Sequence, residues 1–327
     1  MDMSTERYRE YEACKLCPRK CGVNRYETKG YCNEGAALHV SRAALHMWEE
    51  PCISGANGSG TVFFSGCNMG CVFCQNRMIS RGEIGKVIST DRLVEIFWEQ
   101  KERGANNINL VTGDMFIPTI VTAIEKAKSD GFDLPFLLNT SSYLEVDSVK
   151  MLDGLVDIYL PDFKYIRDED AVKYSNARGY VEAAKAAIDE MVRQCPVTEF
   201  VVEKNDSGSV NRNAEGESTS DYSDENKIMA KGVVVRHLLM PGMLIQAKMI
   251  VKYLYERYGD KIYISLMNQF TPNGELAQFP EINRKVTDRD YDSLVDYAAN
   301  LGVTKGFMQV GETAKESFIP DFDMSGV

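Results

Sequence analysis

The chain has 327 residues, 44% of them hydrophobic, with nine cysteines, three histidines and a formal net charge of −11. That length suits one large or two smaller domains, and the apolar content supports a real core, which excludes a disordered chain or a small disulfide-held scaffold. The acidic balance argues against nucleic acid as a partner, and no apolar run reaches the ~18–20 residues of a membrane span.

The N-terminus, MDMSTERYREYEACKLC, is charged and lacks a signal-peptide core, so a cytoplasmic location with reduced thiols is expected. An odd number of cysteines also excludes complete disulfide pairing. Cys14, Cys17, Cys21 and Cys32 come first, spaced C-x2-C-x3-C-x10-C, with Pro18, Gly22, Gly30 and Gly35 supplying turns. Such a knuckle suits a structural metal site, zinc or iron–sulfur, with reduced unliganded cysteines as the alternative. Residues 1–54 are read as a Cys-rich extension. In it His39, His46, Trp48, Glu49 and Glu50 either shape a site or only pack.

From there apolar runs alternate with helical periodicity. Strands are expected over 61–65, 108–112, 135–139, 156–160, 233–239 and 262–266, with one more over 306–310. Helices are expected over 91–103, 117–128, 146–152, 181–193, after Gly242, and over 288–301. This alternation implies βαβ units and a parallel sheet, either a full or partial barrel or a doubly wound sheet. Residues 55–310 form that body and 311–327 a C-terminal tail. The stretch 205–226 interrupts it with six acidic residues and one basic one, so it carries −5 of the −11 and reads as a solvated loop rather than a docking tail. Cys52 and Cys195 have no sequence partners and read as inert core thiols.

Where the first of these strands ends, Ser65-Gly-Cys67-Asn-Met-Gly-Cys71-Val-Phe-Cys74 gives a C-x3-C-x2-C trio. Three thiolates on a short glycine-containing loop can hold three irons of a cube-shaped cluster. Such cubes normally take four cysteines, and the loop has no fourth, which leaves one iron able to bind something else. Zinc with a borrowed ligand and unrelated buried cysteines are the alternatives. Zinc sites usually show two separated pairs, which this trio does not.

The trio, with its aromatic before the third cysteine, resembles the signature of the radical S-adenosylmethionine (SAM) enzymes. The stretches GSGTVFFSGCNMGCVFCQN, LNTSSY, VDIYLPDFKY, AVKYSNARGY and VVVRHLLMPG further resemble the pyruvate formate-lyase activating enzyme-like (PflX-type) subgroup, from about Cys14 to Gly302. The resemblance implies a partial (β/α)6 TIM-like barrel with its site at the C-terminal strand ends. It implies a [4Fe-4S] cluster on Cys67, Cys71 and Cys74 whose open iron chelates SAM. It also implies one-electron cleavage of SAM to a 5′-deoxyadenosyl radical that abstracts hydrogen from a substrate.

By the same resemblance Phe73 packs near the adenine, and Gly113 and Asp114 contact the SAM amino group. Relatives carry Gly-Gly-Glu there, so the pattern is altered, and an ordinary capped turn is the alternative. Asn139 and Thr140, with Ser141, end the third strand and suit ribose hydroxyls or a cation. Asp162 and Lys164 end the fourth, beside SAM and a cation, or else form a surface salt-bridged turn. Arg236 and His237 lie within the fifth strand and face opposite sides. An inward Arg236 would meet the SAM carboxylate, with His237 a satisfied core histidine. The subgroup also carries the N-terminal CxLCPRxCG element. Flavodoxin or ferredoxin is expected as reductant. The substrate is the glycine of a glycyl-radical enzyme, a small metabolite or another protein. A non-catalytic iron–sulfur or zinc protein is the reading from a different class.

Overall fold

In the computed structural model, which describes residues 7–203, 227–309 and 320–327, the chain forms ten strands and ten α-helices among the described residues. The acidic stretch 205–226 and most of the 311–327 tail lie outside them. In chain order the elements are α1 (Arg9–Glu12), β1 (Leu38–His46), α2 (Pro51–Ser54), β2 (Ser59–Phe64), α3 (Arg77–Ser80), β3 (Lys86–Ile88), α4 (Thr90–Glu102) and β4 (Ile108–Val111). They continue with α5 (Ile117–Ser129), β5 (Phe136–Thr140), α6 (Val146–Lys150), β6 (Ile158–Pro161), α7 (Asp168–Ser175), α8 (Tyr180–Gln194) and β7 (Glu199–Val202). The last are β8 (Lys227–Leu238), α9 (Leu244–Tyr258), β9 (Tyr263–Met267), α10 (Asp288–Leu301) and β10 (Gly306–Met308).

Local signals set the helix limits. Ser89 caps α4 by accepting from Arg92 N at 3.1 Å, and Leu93, Ile96 and Phe97 bury one face of that helix. Thr287 caps α10 by accepting from Asp290 N at 3.2 Å, and Gly302 ends it at φ +98°. A cap of this kind is worth about 1 kcal/mol, and the left-handed end costs glycine nothing.

The sheet runs β10-β9-β8-β6-β5-β4-β2-β1-β3 as an open path. β2, β4, β5, β6, β8, β9 and β10 are mutually parallel and follow chain order. The mostly parallel α/β sheet follows the alternation of strands and helices, and its open path is the partial barrel that the family resemblance implied. In-register pairing sorts the side chains into two faces. Val62, Phe64, Leu110, Leu138 and Tyr159 join the main core with the helices. Thr61, Phe63, Asn109, Val111, Leu137, Asn139, Ile158 and Leu160 share the other, inner face.

Three of the elements that were not legible in the sequence are β1, β7 and α7. β1 pairs antiparallel with β2 and β3, with a bulge between Val40 and Arg42, so the segment 1–54 contributes an edge strand to the sheet. That bulge breaks the alternation that would have signalled a strand. β7 pairs antiparallel with the first half of β8, which therefore begins six residues before the apolar run at 233. Among the described residues no helix is long and apolar enough to cross a membrane.

Candidate active site

Cys67, Cys71 and Cys74 lie on the loop between β2 and α3, at the C-terminal end of the parallel strands. Gly66 and Gly70 turn that loop at φ +85° and +82°. A Cβ on Gly66 would meet Cys32 O at 2.7 Å and Glu34 Cγ at 2.4 Å, so only glycine allows the N-terminal segment this close. The loop is held from outside: Cys67 N donates to Cys32 O at 3.3 Å, and Arg19 donates to the carbonyls of Asn68 at 2.9 Å and Met69 at 3.1 Å.

Donors also aim at the sulfurs. Ser175 Oγ lies 2.9 Å from Cys71 Sγ and 2.6 Å from the Tyr165 hydroxyl, and Met69 N lies 3.4 Å from Cys67 Sγ. Burial pushes the Cys67 and Cys71 thiols up to about 11, each neighbouring thiol adding to the rise, while Lys164 tempers it at Cys71. Burial likewise raises Cys74, with Cys67 contributing. The three sulfurs thus share one dry neighbourhood lined by hydrogen-bond donors, which suits thiolates of a cluster.

Among the described residues no three His, Cys, Asp or Glu side chains stand ready for a single metal ion. A cube-shaped cluster would take its thiolates spaced around it rather than drawn to one atom, which three cysteines on one short loop allow. The N-terminal knuckle is likewise no ready-made ion site. Cys21 and Cys32 flank Gly30, and burial pushes Cys17 up to about 12, with Cys32, Cys14 and Cys21 adding to the rise. The four sulfurs are neighbours, and the turn is pinned by Lys20 N to Cys17 O at 3.0 Å and Gly22 N to Cys14 O at 2.9 Å.

Asp114 follows β4 and is buried at 1% exposure, with neither carboxylate oxygen making a well-formed hydrogen bond. Burial pushes it up to about 7, against the tempering effect of the nearby Thr140, Asn68 and Ser141 side chains. An orphaned buried carboxylate is costly unless a cation reaches it, and the amino group of SAM is such a cation. Gly113 packs closely: a Cβ there would meet Ile120 Cδ1 at 2.7 Å and the Phe64 ring at 3.3 Å, so a larger residue would displace those side chains. Beside it Thr112 holds φ +57°, and after β5 Ser142 holds φ +65°. Left-handed backbone at a β-branched residue is strained and gathers at functional sites.

The inner face carries an ionic cluster. Arg236 Nε donates to Asp162 Oδ1 at 2.8 Å, its Nη1 to Glu49 Oε2 at 3.3 Å and its Nη2 to Asn139 Oδ1 at 2.5 Å. Lys164 Nζ donates to Asp162 Oδ2 at 2.5 Å, and Asn109 Nδ2 to Glu49 Oε1 at 3.1 Å. Burial alone would raise Asp162, but Arg236 and Lys164 outweigh it and hold the carboxyl below its ordinary value. Burial raises Glu49 and Glu50, with Arg236 opposing it in both. Three carboxyl groups therefore share one guanidinium and one ammonium, with Asp162 the one held most firmly in its charged form.

The residues singled out in the sequence thus gather at one end of the strands, but their neighbours differ from those expected. Arg236 faces inward, yet its guanidinium is engaged by Asp162, Glu49 and Asn139 rather than left open for a carboxylate. Asn139 is engaged in the same way, and Thr140 Oγ1 accepts from Ser142 N at 3.1 Å. Phe73 is buried 5.7 Å from the Phe270 ring. His237 is a satisfied core residue: Nδ1 donates to Phe163 O at 2.8 Å, and burial pushes it down to about 4. Asn68, Asn109 and Ser175 were missed. Asn109 had a signal, a polar residue inside the apolar run INLVT; Ser175 had none.

Residues 61–202 match the model of the radical SAM superfamily. An uncharacterized protein of Methanocaldococcus jannaschii is 25% identical over 297 residues, spanning 88% of this chain and 75% of its own. Among solved structures, Streptococcus suis SuiB bound to its precursor peptide SuiA is similar with a TM-score of 0.45 at 12% identity, over 75% of this chain and 47% of SuiB. This chain therefore spans less than half of that protein's length. A domain of pyruvate-formate lyase-activating enzyme from Bacteroides vulgatus is similar with a TM-score of 0.38 at 10% identity, over 59% and 91% of the two chains.

Proposed function

We propose, from the match of residues 61–202 to the radical SAM superfamily, that the protein is an enzyme that cleaves SAM reductively and uses the product to abstract hydrogen from a substrate. The observation that carries this reading is the pairing of three half-buried thiols with the buried carboxylate of Asp114, neither of whose oxygens makes a well-formed hydrogen bond, at the same strand ends. When bound, a [4Fe-4S] cluster and SAM supply the one-electron cleavage that yields a 5′-deoxyadenosyl radical.

The chain's own residues hold and orient. Cys67, Cys71 and Cys74 supply the thiolates. Ser175, fixed by the Tyr165 hydroxyl, stabilises the charge on Cys71 through a hydrogen bond of the charge-assisted kind. Asp114 receives the SAM amino group, and Thr140 and Ser141 border that carboxylate. Asp162 and Glu49, held by Arg236 and Lys164, form a charge-balanced network that borders the bound SAM. Gly113 lets the loop after β4 lie close to Phe64, and Phe73 with Phe270 supplies an apolar wall for the adenine.

Anaerobic reconstitution with iron and sulfide, followed by SAM and dithionite, tests this. The expected result is a reducible cluster whose EPR spectrum changes with SAM, and formation of 5′-deoxyadenosine. A Cys71→Ala variant that still makes 5′-deoxyadenosine at the wild-type rate would overturn it.

The finer reading is an activating-enzyme-like role in which the substrate is the glycine of a glycyl-radical enzyme or a site on another protein, with flavodoxin or ferredoxin as cytoplasmic electron donor. The subgroup resemblance of VDIYLPDFKY and VVVRHLLMPG supports it. A small metabolite is the competing substrate class. Co-expression with candidate glycyl-radical enzymes, read by EPR, separates them. A second metal, zinc or iron–sulfur, at Cys14, Cys17, Cys21 and Cys32 is proposed from their shared turn. It is tested by metal quantification in a Cys67/Cys71/Cys74 triple-alanine variant, where retention of about one equivalent supports it and a metal-free protein opposes it.

A further inference from the structure

The segment Pro320–Val327 lies against the edge of β1. Met324 N donates to Ser41 O at 3.1 Å, and Ala43 N donates to Ser325 O at 3.0 Å. β3 covers this edge only at Leu38–Val40, so the segment takes over where β3 stops, past the bulge that turns Ser41 and Ala43 outward. Arg42 Nη1 donates to Asp321 O at 2.6 Å and to Asp323 Oδ1 at 2.8 Å. Arg92 Nη2 donates to Gly326 O at 3.2 Å.

Between these polar anchors Phe322 turns inward. Its ring sits 5.4 Å from Phe63, edge-on, in a small apolar cluster with Ile79, Ile84 and Val111. This cluster is separate from the main core. Phe63 and Val111 belong to the inner face, at the ends of β2 and β4 that lead to Cys67 and Asp114. Ile79 belongs to α3, five residues beyond Cys74. The aromatic ring therefore stands at the rim of the candidate site rather than at a distant surface.

We infer that the β1 edge together with the Phe63–Ile79–Ile84–Val111 pocket is a peptide-docking groove, occupied in cis by Pro320–Val327. Its external occupant is an extended segment of a protein substrate that presents a large apolar side chain beside an acidic residue. Three features carry the inference. Backbone pairing at an edge accepts any extended chain, with the side-chain pocket supplying selectivity. The pocket is apolar and takes one ring, with Arg42 placed for the adjacent acid. Two of its residues, Phe63 and Val111, lie on the strands whose ends lead to Cys67 and Asp114. The inference rests on the protein-substrate reading above and narrows it to a recognition chemistry.

A tethered segment competes at high effective concentration, so the groove is closed to an external peptide until the cis contact is weakened. The test is binding of a fluorescein-labelled peptide of sequence PDFDMSGV to the full-length protein, by anisotropy, without cluster or SAM. The proteins are wild type, Phe322→Ala and, in case that variant folds poorly, Asp323→Arg. A gain in affinity of at least tenfold over wild type in a folded variant is expected, with none for the same peptide carrying Ala in place of Phe. Equal affinity for wild type and folded variants, or a gain that does not depend on the peptide's Phe, overturns the groove. Because no radical chemistry enters, that failure leaves SAM cleavage standing, and loss of SAM cleavage leaves the groove to be judged on binding alone.

Discussion

Arg236 Nε donates to Asp162 Oδ1 at 2.8 Å, joining β8 to the residue that follows β6 across the inner face of the sheet. The same guanidinium reaches Glu49, from the segment between β1 and α2, and Asn139 at the end of β5. One side chain thus holds four parts of the chain together at the end where the cysteines lie. Its removal would leave Asp162 and Glu49 buried without their main counter-charge, a loss of about 3–5 kcal/mol. Arg236→Ala is expected to show that drop in urea unfolding of the metal-free protein. Glu49→Gln, which keeps the guanidinium paired with Asp162, is expected to lose less.

Ser175 offers a probe of the cysteine loop, because its hydroxyl reaches the sulfur of Cys71 and of no other cysteine among the described residues. Its hydrogen bond to Cys71 Sγ at 2.9 Å withdraws electron density from the sulfur. Ser175→Ala should shift the midpoint potential of the reconstituted cluster negative. A hydrogen bond worth about 1 kcal/mol corresponds to roughly tens of millivolts for one electron. Redox titration followed by EPR measures it; a positive shift would contradict the assigned bond.

Asp114 makes a pH prediction with a definite sign. Burial lifts its folded value from 3.8 to about 7, so between these limits the folded state keeps a proton that the unfolded state releases. Its contribution therefore lowers stability as pH rises through that window and is constant above it. Asp114→Asn is expected to stabilise the metal-free protein at pH 8, on the order of a few kcal/mol at most, with no gain at pH 4. Urea unfolding at both pH values checks it. The same variant should bind SAM more weakly, since it deletes the carboxylate aimed at the amino group.

Glu203 contributes away from the chemistry. Its carboxylate accepts from Ala56 N at 2.9 Å, Asn57 N at 2.9 Å and Asn106 Nδ2 at 2.7 Å, clamping the turn that leads into β2. A Cβ on Gly55 would meet Glu203 Oε1 at 2.6 Å, so the clamp also requires that glycine. Glu203→Ala leaves three donors unsatisfied and should cost about 2–3 kcal/mol in thermal or urea unfolding. Retention of full stability would show that the clamp is redundant.

The repeating strands and helices could be read from sequence because each is written locally. Val62, Phe64, Leu110 and Leu138 sit in short apolar runs, and Ser89, Thr287 and Gly302 mark helix ends. β1 and β7 escaped because neither has a clean alternation. The first is bulged, and the second, Glu199–Val202, leaves its side chains largely exposed and gains its place from pairing with β8.

The site divides along the same line. The spacing of Cys67, Cys71 and Cys74 by itself determined where the proposed cluster would sit, because three cysteines lie within eight residues and a short loop must bring them together. The roles around it were decided by tertiary structure. Arg236 lies 187 positions from Glu49 and 74 from Asp162; Ser175 lies 104 from Cys71. Electrostatic pairing and burial depend on distance in space. Only the parallel stacking of β4, β5, β6 and β8 sets that distance, turning the expected grip on a carboxylate into an ion-pair hub and leaving Asp114 as a buried carboxylate with no basic group among its named neighbours.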